Sequence, residues 1–199
     1  MAGELCRMKN YRLTLPVSLL LLFLVEYSSA QDRIAGLYRS PEEFMSGRLS
    51  FQKNDTLQKI RINPLFYSDQ VIIEYSSKKI RLSKDSIYGY TTASGAQYRF
   101  YGKSHLDYQI LECRYLCIYK ALLTDYSTKI PGQTEKYFFS LNAKTPPVEL
   151  TIEAIKKLFL NHCSLEMVID SEFKTDDDLR RFNSSKQTYQ LNYLLSLYL

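Results

Sequence analysis

Tryptophan is absent from this 199-residue chain, histidine occurs twice and glycine seven times. Each shortage closes off a class of chemistry. With so few glycines, and no Gly-x-Gly-x-x-Gly arrangement, no phosphate-cradling loop is built. No Gly-x-Ser-x-Gly elbow presents a serine nucleophile. His105 and His162 are the whole histidine supply, and no Cys-x-x-Cys spacing accompanies them, so a zinc site lacks ligands. No cofactor or metal is expected, and no catalytic, cofactor-binding or metal-binding residue is assigned. The net charge of +5 is a mild excess spread along the chain. Pairs such as Lys78-Lys79 and Arg180-Arg181 read as solvated faces, and no nucleic-acid partner is expected.

Long apolar runs are lacking too. Leu13 to Val25 is 13 residues and contains Pro16. A membrane-spanning helix needs about 20. Arg7, Lys9 and Arg12 precede the run, and Ser28-Ser29-Ala30 follow it ahead of Gln31. A basic start, a short apolar core and small residues at the cut make a secretory signal peptide. Residues 1–30 are therefore expected to be a leader cleaved after Ala30. Met8 opens a more typical leader start, which makes residues 1–7 an expected upstream extension. No cysteine follows the run within cleavage range, so a lipoprotein anchor is not supported. The expectation is export to the periplasm or the extracellular space, with no stable membrane anchor after cleavage.

Removing 30 of 199 residues leaves 169, expected to form a single domain over 31–199. Three cysteines remain: Cys113, Cys117 and Cys163. An odd number leaves at least one thiol unpaired. Along one straight strand Cys113 and Cys117 lie about 13 Å apart, too far to bond, so they meet only across a turn. They are expected either reduced or joined in a small loop. Cys163 is expected to be free, inert and buried as a small hydrophobe.

What the chain does have is tyrosine, 17 residues of it. Tyrosine suits half-buried sheet positions, ring inward and hydroxyl toward water. From Gly47 to about Leu141 the pattern is that of strands. Lys79-Ile80-Arg81-Leu82 alternates with period two, and Val71 to Tyr75 is short and β-branched. Ile87-Tyr88-Gly89-Tyr90 and Tyr98-Arg99-Phe100-Tyr101 are aromatic strands, with turns at Ser76-Ser77, Ser94-Gly95 and Gly102-Lys103-Ser104. Tyr108 to Leu111 and Leu116 to Lys120 form a further hairpin around Cys113-Arg114, and Glu135 to Leu141 a last strand.

Helix signals flank the sheet. Ser40 caps a short helix, with Pro41 at its first position and Gly47 soon after. Beyond Pro146-Pro147 the period lengthens. Thr151 caps a helix with Ile152, Ile155 and Phe159 on one side. Thr175 and Asp178 resemble a capping box, which places Asp176-Asp177-Asp178 in a first turn rather than a calcium loop. Leu191, Leu194, Leu195 and Tyr198 mark one apolar helix face. The fold class expected is α+β: a consecutive antiparallel β-sheet followed by C-terminal helices packed on one face.

Asn54-Asp55-Thr56 and Asn183-Ser184-Ser185 are glycosylation sequons, and Asp55-Thr56-Leu57 and Asp85-Ser86-Ile87 match a loose O-glycosylation pattern of Bacteroidota. The stretch Gly36 to Phe44 with Gly47 to Phe51 resembles the opening of a group of uncharacterised secreted Bacteroidota proteins. Ser86-Ile87-Tyr88-Gly89-Tyr90, Tyr98-Arg99-Phe100-Tyr101 and Tyr137-Phe138-Phe139-Ser140 with Leu150-Thr151 are similar too, as is the Ala30–Gln31 junction. The resemblance implies a secreted domain and supplies no activity or site. The function expected is a non-catalytic envelope or secreted binding or scaffold protein, using tyrosine-rich sheet surface toward an envelope or extracellular partner. The alternative is a small secreted hydrolase, its site assembled from scattered acids or His162.

Overall fold

The computed structural model describes residues 34–53, 57–62, 69–75, 78–102, 106–125, 132–160 and 162–199. The leader, Asn54 to Thr56, the turns at Ser76-Ser77 and Lys103-Ser104, and His105 lie outside the described residues.

Strands dominate. β1 (Ile34–Tyr38) leads through α1 (Pro41–Ser46) to β2 (Phe51–Gln52). Ser40 Oγ accepts from Glu43 N at 3.3 Å at the start of α1. Gly47, at φ 67°, ends it in the left-handed region that a side chain disfavours. β3 (Leu57–Ile62), β4 (Gln70–Tyr75) and β5 (Lys78–Ser83) follow. After a 3-10 turn at Lys84–Ser86 come β6 (Gly89–Thr92), β7 (Gln97–Tyr101), β8 (Leu106–Cys113), β9 (Cys117–Asp125), β10 (Gly132–Ser140) and β11 (Val148–Glu149). The C-terminal part holds α2 (Ile152–Leu158), α3 (Cys163–Glu172), a 3-10 turn at Asp176–Arg180, the small hairpin β12 (Phe182–Asn183) and β13 (Thr188–Tyr189), and α4 (Gln190–Tyr198).

The chain is α+β and sheet-rich, with helices at its C-terminal end. One antiparallel sheet runs in the order β11-β10-β9-β8-β7-β6-β1-β2, and β3-β4-β5 form a separate sheet. The expected single consecutive sheet is thus corrected in two ways. β1 pairs with β6 rather than with its sequence neighbours beyond β2, and β3-β4-β5 leave the ladder altogether. The reason lies in side-chain alternation: Ile60, Val71 and Ile73 face inward and need an apolar surface to cover. They find it on Leu37, Ile87, Tyr90 and Phe100.

Register fixes what each face carries. On β8, Tyr108 and Ile110 point to one side, Asp107 and Leu111 to the other. On the Leu111 side, α2, α3 and α4 bring Ile155, Leu165, Ile169, Leu191 and Leu195 against Leu116, Ile118 and Phe139. Complete burial of each such aliphatic side chain is worth about 1.5–3 kcal/mol. On the Tyr108 side, Tyr38, Tyr88 and Tyr119 form a tyrosine core with Phe44 of α1 packed against it.

Three local expectations change. α3 carries buried Leu165 and Ile169, a helix whose face the sequence pattern did not single out. Tyr198 stands 43% exposed, so the apolar stripe of α4 stops at Leu195. Cys163 is exposed at the first turn of α3, not buried, because the helix turns Leu165 and Ile169 toward the core instead.

Candidate functional site

Two polar clusters sit inside the fold. The first is built on Arg99 of β7, which is 4% exposed. Its Nη1 donates to Tyr119 Oη at 3.1 Å and to the Thr145 carbonyl at 2.9 Å. Its guanidinium lies 5.1 Å from the ring centres of Tyr88 and Tyr101 and 5.9 Å from that of Tyr119. Aromatic faces stabilise a desolvated guanidinium in place of an acid. Tyr119 Oη and Ser140 Oγ share a hydrogen bond of 2.8 Å, and Ser140 Oγ lies 2.7 Å from the Asn142 carbonyl. Tyr88 Oη and Arg99 Nε are buried without hydrogen-bond partners. Burial pushes the Tyr88 phenol upward, and the Tyr119 hydroxyl adds to it.

The second cluster lies on the opposite face of β7 and β8. Lys84, 3% exposed, places Nζ 3.8 Å from Asp107 Oδ1 and 4.8 Å over the Phe100 ring. Tyr90 Oη donates to Asp107 Oδ2 at 3.0 Å. Burial raises the Asp107 carboxyl, and Lys84 and Tyr90 oppose the rise. Both clusters tie strands together across the sheet.

An open cleft of about 310 Å³ lies between α1, β7 and the tip of the β8–β9 hairpin, with Phe44, Met45, Gln97, Glu112, Arg114 and Asn142 among its walls. Its one carboxylate is already engaged. Glu112 accepts from Thr188 Oγ1 at 2.6 Å and Tyr189 N at 2.9 Å, and it pairs with Arg114 Nε at 2.9 Å. The cleft wall is thereby the dock for the β12–β13 hairpin.

The residues weighed from sequence have clear places. Cys113 and Cys117 are register partners at the hairpin tip and are joined by a disulfide. His162 and Cys163 are both exposed at the start of α3, with no hydrogen bond between them. Asp176 Oδ1 accepts from Ile152 N at 2.8 Å, Asp177 pairs with Arg180 at 2.9 Å, and Asp178 accepts from Thr175 N at 2.8 Å in the expected capping box. Asn183 donates its amide to Gln190 Oε1 at 2.8 Å. Ser86 Oγ donates to the Ser83 carbonyl at 2.7 Å. Among the described residues, no group of three His, Cys, Asp or Glu is placed to hold a metal ion, and no helix is long and apolar enough to cross a membrane.

The surface holds one arrangement that sequence reasoning missed. In the three-stranded sheet, Lys59 pairs across Glu74 to Lys79, and Arg61 pairs across Ile72 to Arg81. These six side chains share the face turned away from the Ile60–Val71–Ile73 core. Lys59, Arg61, Lys79 and Arg81 are all exposed. Glu74 reaches Arg61 at 3.3 Å and Lys79 at 3.5 Å. Lys59 and Arg81 have no acidic partner among the described residues. Charges that look scattered in sequence are thus gathered by register into one basic face, because positions two apart on a strand point the same way.

Compared with known protein families, curated proteins and solved structures, the chain matches none.

Proposed function

We propose that this chain is an exported, non-catalytic binding protein of the envelope or extracellular space. In this reading residues 1–30 are its cleaved leader, and residues 31–199 are one working domain akin to the secreted Bacteroidota proteins that its motifs resemble. The antiparallel sheet with its C-terminal helical layer is the scaffold, and the working surface is carried on it.

The observation that supports binding is the basic outer face of β3-β4-β5. Four exposed cations surround a single acid and a half-buried isoleucine. Such a face raises the local concentration of anionic partners. The surface invoked differs from the tyrosine-rich one expected from composition. Tyr38, Tyr88, Tyr90, Tyr108 and Tyr119 are all buried, and their rings serve the core.

The experiment is sedimentation of the cleaved protein with isolated cell envelopes. At low ionic strength the protein pellets with the envelopes, and at high salt it is released, because exposed charges are screened. Protein that stays in the supernatant at low salt overturns the reading.

A further inference from the structure

Resting on that reading, we infer that the outer face of β3-β4-β5 docks reversibly on an anionic phospholipid surface. Three features of the face favour lipid headgroups over a charged polymer. First, the four cations form a two-by-two array. Lys59 and Arg61 on β3, like Lys79 and Arg81 on β5, are separated by one intervening residue, about 7 Å along the strand. The two strands flank β4, so the pairs lie about 10 Å apart. An array spread in two directions meets several headgroups at once, whereas a single polymer chain needs a line.

Second, among the described residues the face offers no ring to stack on: beside Lys59, Arg61, Lys79 and Arg81 stand Ile72, Glu74, Gln70 and Ser83. Proteins that hold single-stranded nucleic acid add aromatic platforms to their charge. Third, the cations stand together on one outer face of a three-stranded antiparallel sheet, so their heads project from the same side of one surface. Ile72, half-buried at its centre, places a small apolar spot between cations whose long stems let their heads reach phosphate.

Glu74 sets the strength. It neutralises part of Arg61 and Lys79 through its two oxygens, leaving Lys59 and Arg81 without an acidic partner among the described residues. A basic residue near an anionic bilayer contributes about 1 kcal/mol, or roughly fivefold in affinity. Besides Glu74, the nearest acids in sequence among the described residues, Asp69 and Asp85, lie beyond the Gln70–Ser83 pair at one end of the sheet.

The test uses the cleaved protein with vesicles of phosphatidylcholine alone, and of phosphatidylcholine carrying phosphatidylglycerol, at low salt. Binding is expected to the second and not to the first. Lys59→Gln with Arg81→Gln should weaken it roughly 30-fold, and Glu74→Gln should strengthen it roughly fivefold. The Glu74→Gln variant guards against a mere folding defect, since a damaged protein does not bind better. Equal binding to both vesicles, no response to either variant, or tighter binding to a single-stranded oligonucleotide than to the anionic vesicles each overturns the inference. A protein that pellets with envelopes but ignores anionic vesicles removes the lipid assignment and leaves the proposed function standing.

Discussion

Asn192, buried in α4, reads both backbone groups of Leu116 at the tip of the β8–β9 hairpin. Its Oδ1 accepts from Leu116 N at 2.9 Å, and its Nδ2 donates to Leu116 O at 3.0 Å. The hairpin tip turns three residues between bonded cysteines, and within it only the Arg114 N–H reaches the Leu116 carbonyl, at 3.3 Å, so the Leu116 N–H is satisfied from α4. Together with Glu112 and Arg114, which hold Thr188, Tyr189 and the Gln187 carbonyl, the tip fastens the C-terminal segment to the sheet. Asn192→Ala strands the buried Leu116 N–H and leaves the Leu116 carbonyl with only the 3.3 Å bond from Arg114 N. It should cost about 1–3 kcal/mol in denaturant unfolding. A loss below about 0.5 kcal/mol would show that water replaces the clamp.

The two central tyrosines of the Arg99 cluster should respond oppositely to loss of their hydroxyls. Tyr119→Phe removes the acceptor of Arg99 and the partner of Ser140, and a loss of about 1–3 kcal/mol is expected. Tyr88→Phe deletes a buried hydroxyl that has no hydrogen bond, so stability should stay within about 0.5 kcal/mol or rise. Paired urea melts of the two variants check this. Equal destabilisation by both contradicts the assignment.

Thiol counting tests the cysteine arrangement. A protein of residues 31–199, unreduced, should take up one alkylating group at Cys163 without denaturant, because that thiol is exposed. Reducing the Cys113–Cys117 bond should cost about 2 kcal/mol, the small entropic gain of so short a ring. Cys117→Ser should cost more than Cys113→Ser, since Cys117 is buried and Cys113 is not. Intact-mass measurement with and without reductant decides it. A bridge from either to Cys163 contradicts the structure.

Acid should loosen the fold over a defined range. The Lys144 ammonium, 2.7 Å away, holds Glu42 down to about 2 from 4.5. The Thr175 and Lys174 N–H groups hold Asp178 below its usual range. A carboxylate depressed in the folded state stabilises above its unfolded value, and that contribution is lost as pH falls through the folded one. Melting temperature should therefore decline between about pH 4.5 and pH 2. Asp107 acts in the opposite sense, because burial raises it and its protonation in acid favours the folded state. Asp178→Asn should flatten the decline, and Asp107→Asn should steepen it. Reversed signs in thermal melts contradict the assignments.

Local signals carried well from sequence to structure. Ser40 and Thr151 cap helices as their side chains demand, Gly47 takes the left-handed turn, and the hairpin around Cys113-Arg114 forms. What sequence hid is non-local. Nothing in the text of the chain says that Asn192 will meet Leu116 across a separation of 76 residues. A polar residue inside an apolar helix pattern looks like a defect until its partner is placed. The departure of β3-β4-β5 from the main sheet was invisible for the same reason, since period two reports which face is apolar and not which sheet covers it. The basic face followed from that departure. Lys59, Arg61, Lys79 and Arg81 are two pairs far apart in sequence, and only the β3–β4–β5 register joins them.

The central claim is that this basic face is the working surface. Sedimentation with isolated envelopes, comparing the cleaved protein with its Lys59→Gln, Arg81→Gln double variant at matched thermal stability, tests it most directly. The account predicts that the parent pellets at low salt and the variant remains largely in solution. Equal pelleting of the two contradicts it.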